Sequence, residues 1–256
     1  AIIAHVDHGK TTLVDCLLRQ SGQFHNNEKV IDRVMDSNAL EKERGITILS
    51  KCTSIDWKNI RINIVDTPGH ADFGGEVERI LNMVDGVMLL VDAAEGPMPQ
   101  TKFVLTKALN QNLNPIVLIN KVDRSDQRAT EVLNDIFDLF IALDANDKQL
   151  DFPVLYSSAK NGWASNDPDT TGQDMEVLLE KIVGHIPPPD ADPNGPLKML
   201  VTSLERDPYL GRVLTGRINS GSIQTNQKVK SIDRTGKLVE KTRITKLFFI
   251  YIIIRY

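Results

Sequence analysis

Four short segments carry residues whose types and spacing could do chemistry: Ala4-His5-Val6-Asp7-His8-Gly9-Lys10-Thr11, Asp66-Thr67-Pro68-Gly69-His70, Asn120-Lys121-Val122-Asp123 and Ser158-Ala159-Lys160. The first lies between the apolar Ile2-Ile3 and a stretch from Thr11 to Leu18 that has helical apolar spacing. A strand-to-helix turn of this kind lets successive backbone N–H groups converge on a phosphate at the positive helix end. Asp7, His8, Gly9, Lys10, Thr11 and Thr12 are therefore candidate phosphate-binding residues. Lys10 is suited to the β- and γ-phosphates, and the Thr11 hydroxyl to Mg2+. Ala4 stands where such loops usually carry glycine, and its methyl is tolerable there if φ is negative. The competing reading is an ordinary strand-to-helix turn.

Asp66 follows Ile60, Ile62 and Ile64, which alternate as in a strand buried on one face. A carboxylate at the end of that strand can hold a magnesium-bound water beside the γ-phosphate. Gly69 can turn its N–H onto the same phosphate at no steric cost. Asp-Thr-Pro-Gly is also ordinary turn chemistry, so a plain strand-end turn is the alternative. Arg44-Gly45-Ile46-Thr47-Ile48 closes a long polar stretch that begins at Ser21. Thr47 is positioned to close on magnesium when the γ-phosphate is present. The same residues can start the next strand, and the two readings are compatible. Magnesium thus has Thr11 and Thr47 as candidate ligands, with Asp66 acting through water.

The runs Gly86–Asp92 and Pro115–Ile119 are continuously apolar up to their ends, as expected of parallel strands covered on both faces. Asn120-Lys121-Val122-Asp123 follows the second run. A buried Asp123 would accept hydrogen bonds from guanine N1–H and N2–H2, a donor pair that adenine lacks. Lys121 would lay its stem along the base, and Asn120 would tie this loop to the phosphate loop. After the strand at 153–156, Ser158, Ala159 and Lys160 would cover the base, with the Ala159 N–H facing guanine O6. The four segments together imply GTP and GDP as ligands.

These residues resemble those of the translational GTPase family, marked by H-V/I-D-H-G-K-T, R-G-I-T-I and D-T-P-G-H. The longer stretches Arg33–Asn38, His70–Arg79, Asp144–Asp147, Asn161–Ala164 and Tyr209–Arg212 are most similar to its bacterial TypA/BipA branch, ahead of elongation factor G or the LepA factor. The similarity covers residues 1 to about 247. It implies a ribosome-stimulated GTPase in which His70 orients the attacking water, with Lys10 and Thr47 as its catalytic partners. It further implies that ribosomal RNA brings His70 into place past Val6 and Ile46, and that Asp7 holds a monovalent cation. The implied partners are the ribosome, with its RNA and proteins, and guanine nucleotide; the implied role is translation regulation, ribosome assembly or stress adaptation. The alternatives are a nucleotide-gated ribosome-binding module, or a fragment that binds nucleotide without turnover.

Thirty Lys and Arg against thirty-four Asp and Glu give a net charge of −4, which leaves no general footprint for DNA or other nucleic acid. Contact with a ribosome would then be local. Two cysteines, Cys16 and Cys52, suit a reducing cytoplasm as small core residues. His25 and His185 are expected to be solvated. No apolar run reaches the ~20 residues of a membrane helix. A cytoplasmic monomer is the expectation.

Three helical faces alternate with the strands: Val77, Ile80, Leu81 and Val84; Val132, Ile136, Leu139, Phe140 and Leu143; Met175, Leu178, Leu179, Ile182 and Ile186. The fold class is α/β, a doubly wound, mostly parallel P-loop GTPase domain over 1–187. A proline-rich linker over 188–196 leads to short alternating strands over 197–247, read as an incomplete β-barrel second domain with a turn at Arg234–Lys237. The chain begins within its first strand and without Met. Phe248 to Tyr256 is a β-branched and aromatic tail that departs from the family, expected to be non-native and aggregation-prone. A genuine buried edge strand is the alternative there.

Overall fold

The computed structural model describes residues 1–21, 51–67 and 74–248. They divide into two compact units, Ala1–Pro188 and Pro189–Tyr256. The first holds a seven-stranded sheet: β1 (Ile2–Ala4), β2 (Lys51–Trp57), β3 (Ile60–Asp66), β4 (Gly86–Asp92), β5 (Asn114–Asn120), β6 (Val154–Ser158) and β7 (Trp163–Ser165). The spatial order is β2-β3-β1-β4-β5-β6-β7. The five inner strands are parallel, and β2 and β7 add antiparallel edges. Parallel strands bring their C-terminal ends to one rim, where ligands of open α/β sheets bind. Asp66, Asp92, Asn120 and Ser158 each close a strand on that rim.

Every residue of β4 is buried, as its unbroken apolar run requires of a strand covered on both faces. The covering helices are α1 (Lys10–Gln20), α2 (Gly74–Leu81), α3 (Pro99–Asn110), α4 (Ala129–Ala142), α5 (Asp147–Leu150) and α6 (Glu176–His185). Val77, Ile80 and Leu81 of α2 are buried, as are Val132, Ile136 and Phe140 of α4 and Leu178 and Leu179 of α6. Helix α3, which no expected face covered, buries Val104, Leu105, Ala108 and Leu109 behind a proline in its first turn. Strand β7 has only three residues, too few to carry a period in sequence. Lys58 and Asn59, both at positive φ, turn β2 into β3 with the geometry of a two-residue hairpin. Cys16 is buried and Cys52 half-buried, and burial raises both thiols above their ordinary range.

The second unit contains two separate hairpins, β8 (Lys198–Asp207) with β9 (Gly211–Ser220) and β10 (Lys228–Ile232) with β11 (Leu238–Arg243). They form two two-stranded sheets rather than one curved sheet, and Leu204, Tyr209 and Val239 are exposed. The turn between β10 and β11 closes on Asp233, whose carboxylate accepts from the N–H groups of Thr235 and Lys237 at 2.9 and 3.0 Å. Part of the proline-rich stretch is folded onto this unit. Asp192 bridges Ser220 and its carbonyl accepts from the Gly221 N–H at 2.8 Å. In the apolar tail, Phe248 is exposed and residues 249–256 lie outside the described residues.

The aromatic group Phe137, Phe140 and Phe152 anchors α4 to the sheet, with the Phe140 and Phe152 rings 4.6 Å apart. Phe140 is fully buried. Phe140→Ala is expected to cost about 3–5 kcal/mol in chemical denaturation, as large-to-small core changes do. Phe103→Ala on the exposed side of α3 should cost less than about 1 kcal/mol in the same assay.

Candidate nucleotide site

The loop from His5 to Gly9 joins β1 to α1 and turns through two left-handed residues, Asp7 at φ 64° and Gly9 at φ 95°. Gly9 needs its lack of a side chain for a second reason. A Cβ there would lie 2.5 Å from Asn120 Nδ2. That amide donates to the His8 carbonyl at 2.9 Å, while its Oδ1 accepts from Ser157 Oγ at 3.1 Å and from the Ala159 N–H at 3.0 Å. Asn120 thus ties the loop after β5 to the phosphate loop and to the loop after β6. The Gly9 carbonyl then accepts from the Leu13 N–H at 2.9 Å and starts α1. Lys10 is buried and its ammonium donates to the Thr67 carbonyl. Thr11 is half-buried and Thr12 exposed at the start of the helix.

His8 is a candidate phosphate-loop residue, and its side chain packs away from the loop's N–H groups. The main chain of His8 belongs to the loop, but the imidazole has no exposed surface and turns beneath the end of β4. The Asp92 N–H donates to Nδ1 at 3.3 Å, which puts the ring proton on Nε2, 3.3 Å from Glu95 Oε2. With Nδ1 bare, its 3.4 Å approach to the Leu90 carbonyl is a contact between acceptors and not a hydrogen bond. Burial favours the neutral ring and holds His8 below the ordinary histidine value.

On the base side, Lys121 sits at φ 65° and its Nζ lies 2.6 Å from Asp92 Oδ2. Asp92 is fully buried; its other oxygen accepts from the N–H groups of Ala94 and Glu95 at 2.7 and 3.3 Å. Burial alone would raise this carboxyl, but Lys121 and the two N–H groups outweigh it and hold the group below the usual carboxylate range. Arg128 braces the same turn from the far side, donating to the carbonyls of Ala94 and Glu95 at 2.9 and 3.2 Å. Asp123 was expected to be buried but is exposed, with Oδ2 accepting from Asn161 Nδ2 at 3.1 Å. Ser158 and Ala159 are buried and Lys160 is exposed. The Ala159 N–H, expected to face guanine O6, is donated to Asn120 instead.

The parallel register therefore brings together Asp7 to Thr12, Asn120 to Asp123 and Ser158 to Lys160 along one rim. Asp66 ends β3 on that rim, whereas Thr47, Gly69 and His70 lie outside the described residues. A left-handed turn with no room for a Cβ at Gly9 and a buried lysine opening the helix fit a phosphate chain. The half-buried Thr11 leaves a hydroxyl there for Mg2+. Asp92, Glu95, Arg128 and Asn161 were given no role from sequence. The available signal for Asp92 was a carboxylate ending an apolar strand level with Asn120, its register partner. A separate cleft of about 480 Å3 borders Asp151, Pro153, Glu180 and His185, at the start of β6 and so at the opposite edge of the sheet. His185, expected to be solvated, has its Nε2 buried.

Residues 1–188 match the family model for the elongation factor Tu GTP binding domain. The chain belongs to this family. It is 57% identical over 250 residues to the large ribosomal subunit assembly factor BipA of Bacillus subtilis, covering 97% of this chain and 40% of that protein. The same factor from Salmonella typhimurium is 58% identical over 237 residues, with 93% and 39% covered. The chain thus spans about 40% of the length of the curated relatives it matches. Among solved structures, a bacterial selenocysteine-specific elongation factor EF-Sec is similar with a TM-score of 0.66 and 26% identity, over 95% of this chain and 40% of that one. The family assignment agrees with the α/β sheet and with the translational GTPase resemblance of the motifs.

Because folding keeps His8 neutral, the unfolded chain takes up a proton below its ordinary value of about 6.5 that the folded chain refuses. Stability is then full above that value and falls as the pH is lowered toward the depressed folded value. The melting temperature should drop between about pH 7.5 and about pH 5.5, and His8→Gln should drop less over the same range. Parallel profiles for the two proteins would show that His8 carries none of the dependence.

Proposed function

We propose that this chain binds GTP and GDP with Mg2+ at the rim described above and hydrolyses GTP when it meets a ribosome. The observation that carries the reading is the Asn120 bridge, which holds a base loop and a phosphate loop in one frame. In this reading Asp7, His8, Gly9, Lys10, Thr11 and Thr12 cradle the phosphates, the first three through their main chain. Asn120, Lys121 and Asp123 with Ser158, Ala159 and Lys160 take the guanine. The Asn161 amide holds the Asp123 carboxylate at the loop's outer edge, where the base edge would meet it. Bound Mg2+, held by Thr11 and Thr47 and by Asp66 through water, would offset charge on the β- and γ-phosphates. Gly69 presents its N–H to the γ-phosphate, and His70 orients the attacking water. In this reading the free protein turns over slowly, and the ribosome supplies the stimulation.

The ribosome enters this reading through the relatives, which are named as large ribosomal subunit assembly factors. The β10–β11 hairpin supports it. Lys228 faces Arg243 and Lys230 faces Lys241 across the strands, so four exposed cations share one face, while Val229, Thr242, Ser231 and Glu240 share the other. Like charges directly opposite each other are destabilising, and this arrangement suits a phosphodiester backbone despite the net charge of −4. The two hairpins are read as part of a β-barrel second domain, and the protein as a cytoplasmic monomer that binds neither DNA nor membrane. Among the described residues no helix is long and apolar enough to cross a membrane.

GTP turnover measured with and without ribosomes tests the reading, with slow hydrolysis alone and strong stimulation expected. His70→Ala should keep GTP and GDP binding within about threefold and lose ~100-fold or more of the stimulated rate. Stimulation that survives this change would remove His70 from the chemistry. Binding that never leads to turnover would leave a nucleotide-gated module. Base choice has its own test: Asp123→Asn should shift preference from guanine toward xanthine, because the amide offers a donor where xanthine presents a carbonyl. Equal loss of both bases would refute the role of Asp123.

A further inference from the structure

We infer that Asp92 is a positioning residue for nucleotide binding: its buried carboxylate fixes the Lys121 side chain and links the base loop to the phosphate loop. The inference rests on the nucleotide site proposed above. Asp92 ends β4 in register with Asn120, so its side chain emerges level with the residue that precedes Lys121. One oxygen is committed to the Ala94 and Glu95 N–H groups, and the other faces the Lys121 ammonium at 2.6 Å. Arg124 is more distant from that oxygen, at 3.7 Å. A carboxylate with no exposed surface needs such a cation, and Lys121 is the close one.

The lysine is held at both ends. Its backbone occupies the left-handed region, which costs a residue with a Cβ free energy unless the surroundings enforce it. Its Nζ is pinned to Asp92. The methylenes between are then a fixed apolar strut with little rotamer entropy left to lose on meeting a flat ring. A lysine without this partner would have to be ordered at the moment of binding.

The contacts close into a ring. The Asp92 N–H donates to the His8 imidazole, the His8 carbonyl accepts from the Asn120 amide, Asn120 is bonded to Lys121, and Lys121 returns to the Asp92 carboxylate. Three strand ends, those of β1, β4 and β5, are joined in it. Disturbing the Lys121 end should therefore be felt as faster loss of the whole nucleotide, not only as weaker base choice.

Release of N-methylanthraniloyl-GDP from the full chain tests this, using Asp92→Asn, Lys121→Met and the double variant. Asp92→Asn retains an oxygen for the Ala94 and Glu95 N–H groups, and thermal melting reports whether the fold is kept. Each single change is expected to speed release about tenfold, and the double change no more than either alone. Independent, multiplying effects would mean that Asp92 acts only on its own turn, and would overturn the inference. If Asp92→Asn fails to fold, its half-buried partner Lys121 alone decides. Lys121→Arg, which keeps the cation for Asp92, should release GDP more slowly than Lys121→Met does. Equal acceleration by Arg and Met would overturn the inference. A parent chain that binds no GDP would overturn the nucleotide site itself, and this inference with it.

Discussion

A carboxamide with almost no exposed surface must find its hydrogen-bond partners inside the fold, and Asn120 finds them on two distant segments. Its donor reaches the phosphate loop, and its acceptor takes an O–H and an N–H from the end of β6 and the residue after it. The consequences spread outward from that side chain. Gly9 must lack a Cβ because the amide occupies that space. The loop carrying Asp7 and Lys10 is thereby set at a fixed height above β1. Replacing the amide by an apolar group would leave the His8 carbonyl and the Ala159 N–H without these partners in the dry interior.

Much of this arrangement was legible in the sequence because it depends on local pattern. Unbroken apolar runs marked β4 and β5, and helical spacing marked the buried faces of α2, α4 and α6. The loops after β1, β5 and β6 could be read as one candidate site because each is a contiguous string after a strand. What escaped depends on which strands become neighbours. Asp92 meets Lys121, and His8 meets Glu95, only after β1, β4 and β5 have paired in register, and no spacing along the chain encodes that. The burial expected of Asp123 failed for a related reason: the residue lies past the strand end, where the loop turns outward toward Asn161. Strand β7 is too short for a period, and α3 was overlooked although its apolar positions recur regularly.

Net charge misleads in the same way when taken over the whole chain. A value of −4 describes the average, yet Lys228, Lys230, Lys241 and Arg243 sit on one side of a single hairpin with no acid between them. Cross-strand register, not composition, makes the field local. The two units thus differ in character. The first is organised by a covered parallel sheet, and the second by exposed hairpins, of which β10–β11 gathers four cations on one face.

The bond between Asn120 and the His8 carbonyl joins residues 112 positions apart. Such a contact cannot form early in folding, because closing so long a segment costs entropy that only prior pairing of β1, β4 and β5 can offset. The candidate site on this rim is therefore a late product of assembly. A nascent chain acquires it only after β5 has been made and has docked, so synthesis must run well past the phosphate loop before that loop acquires its shape.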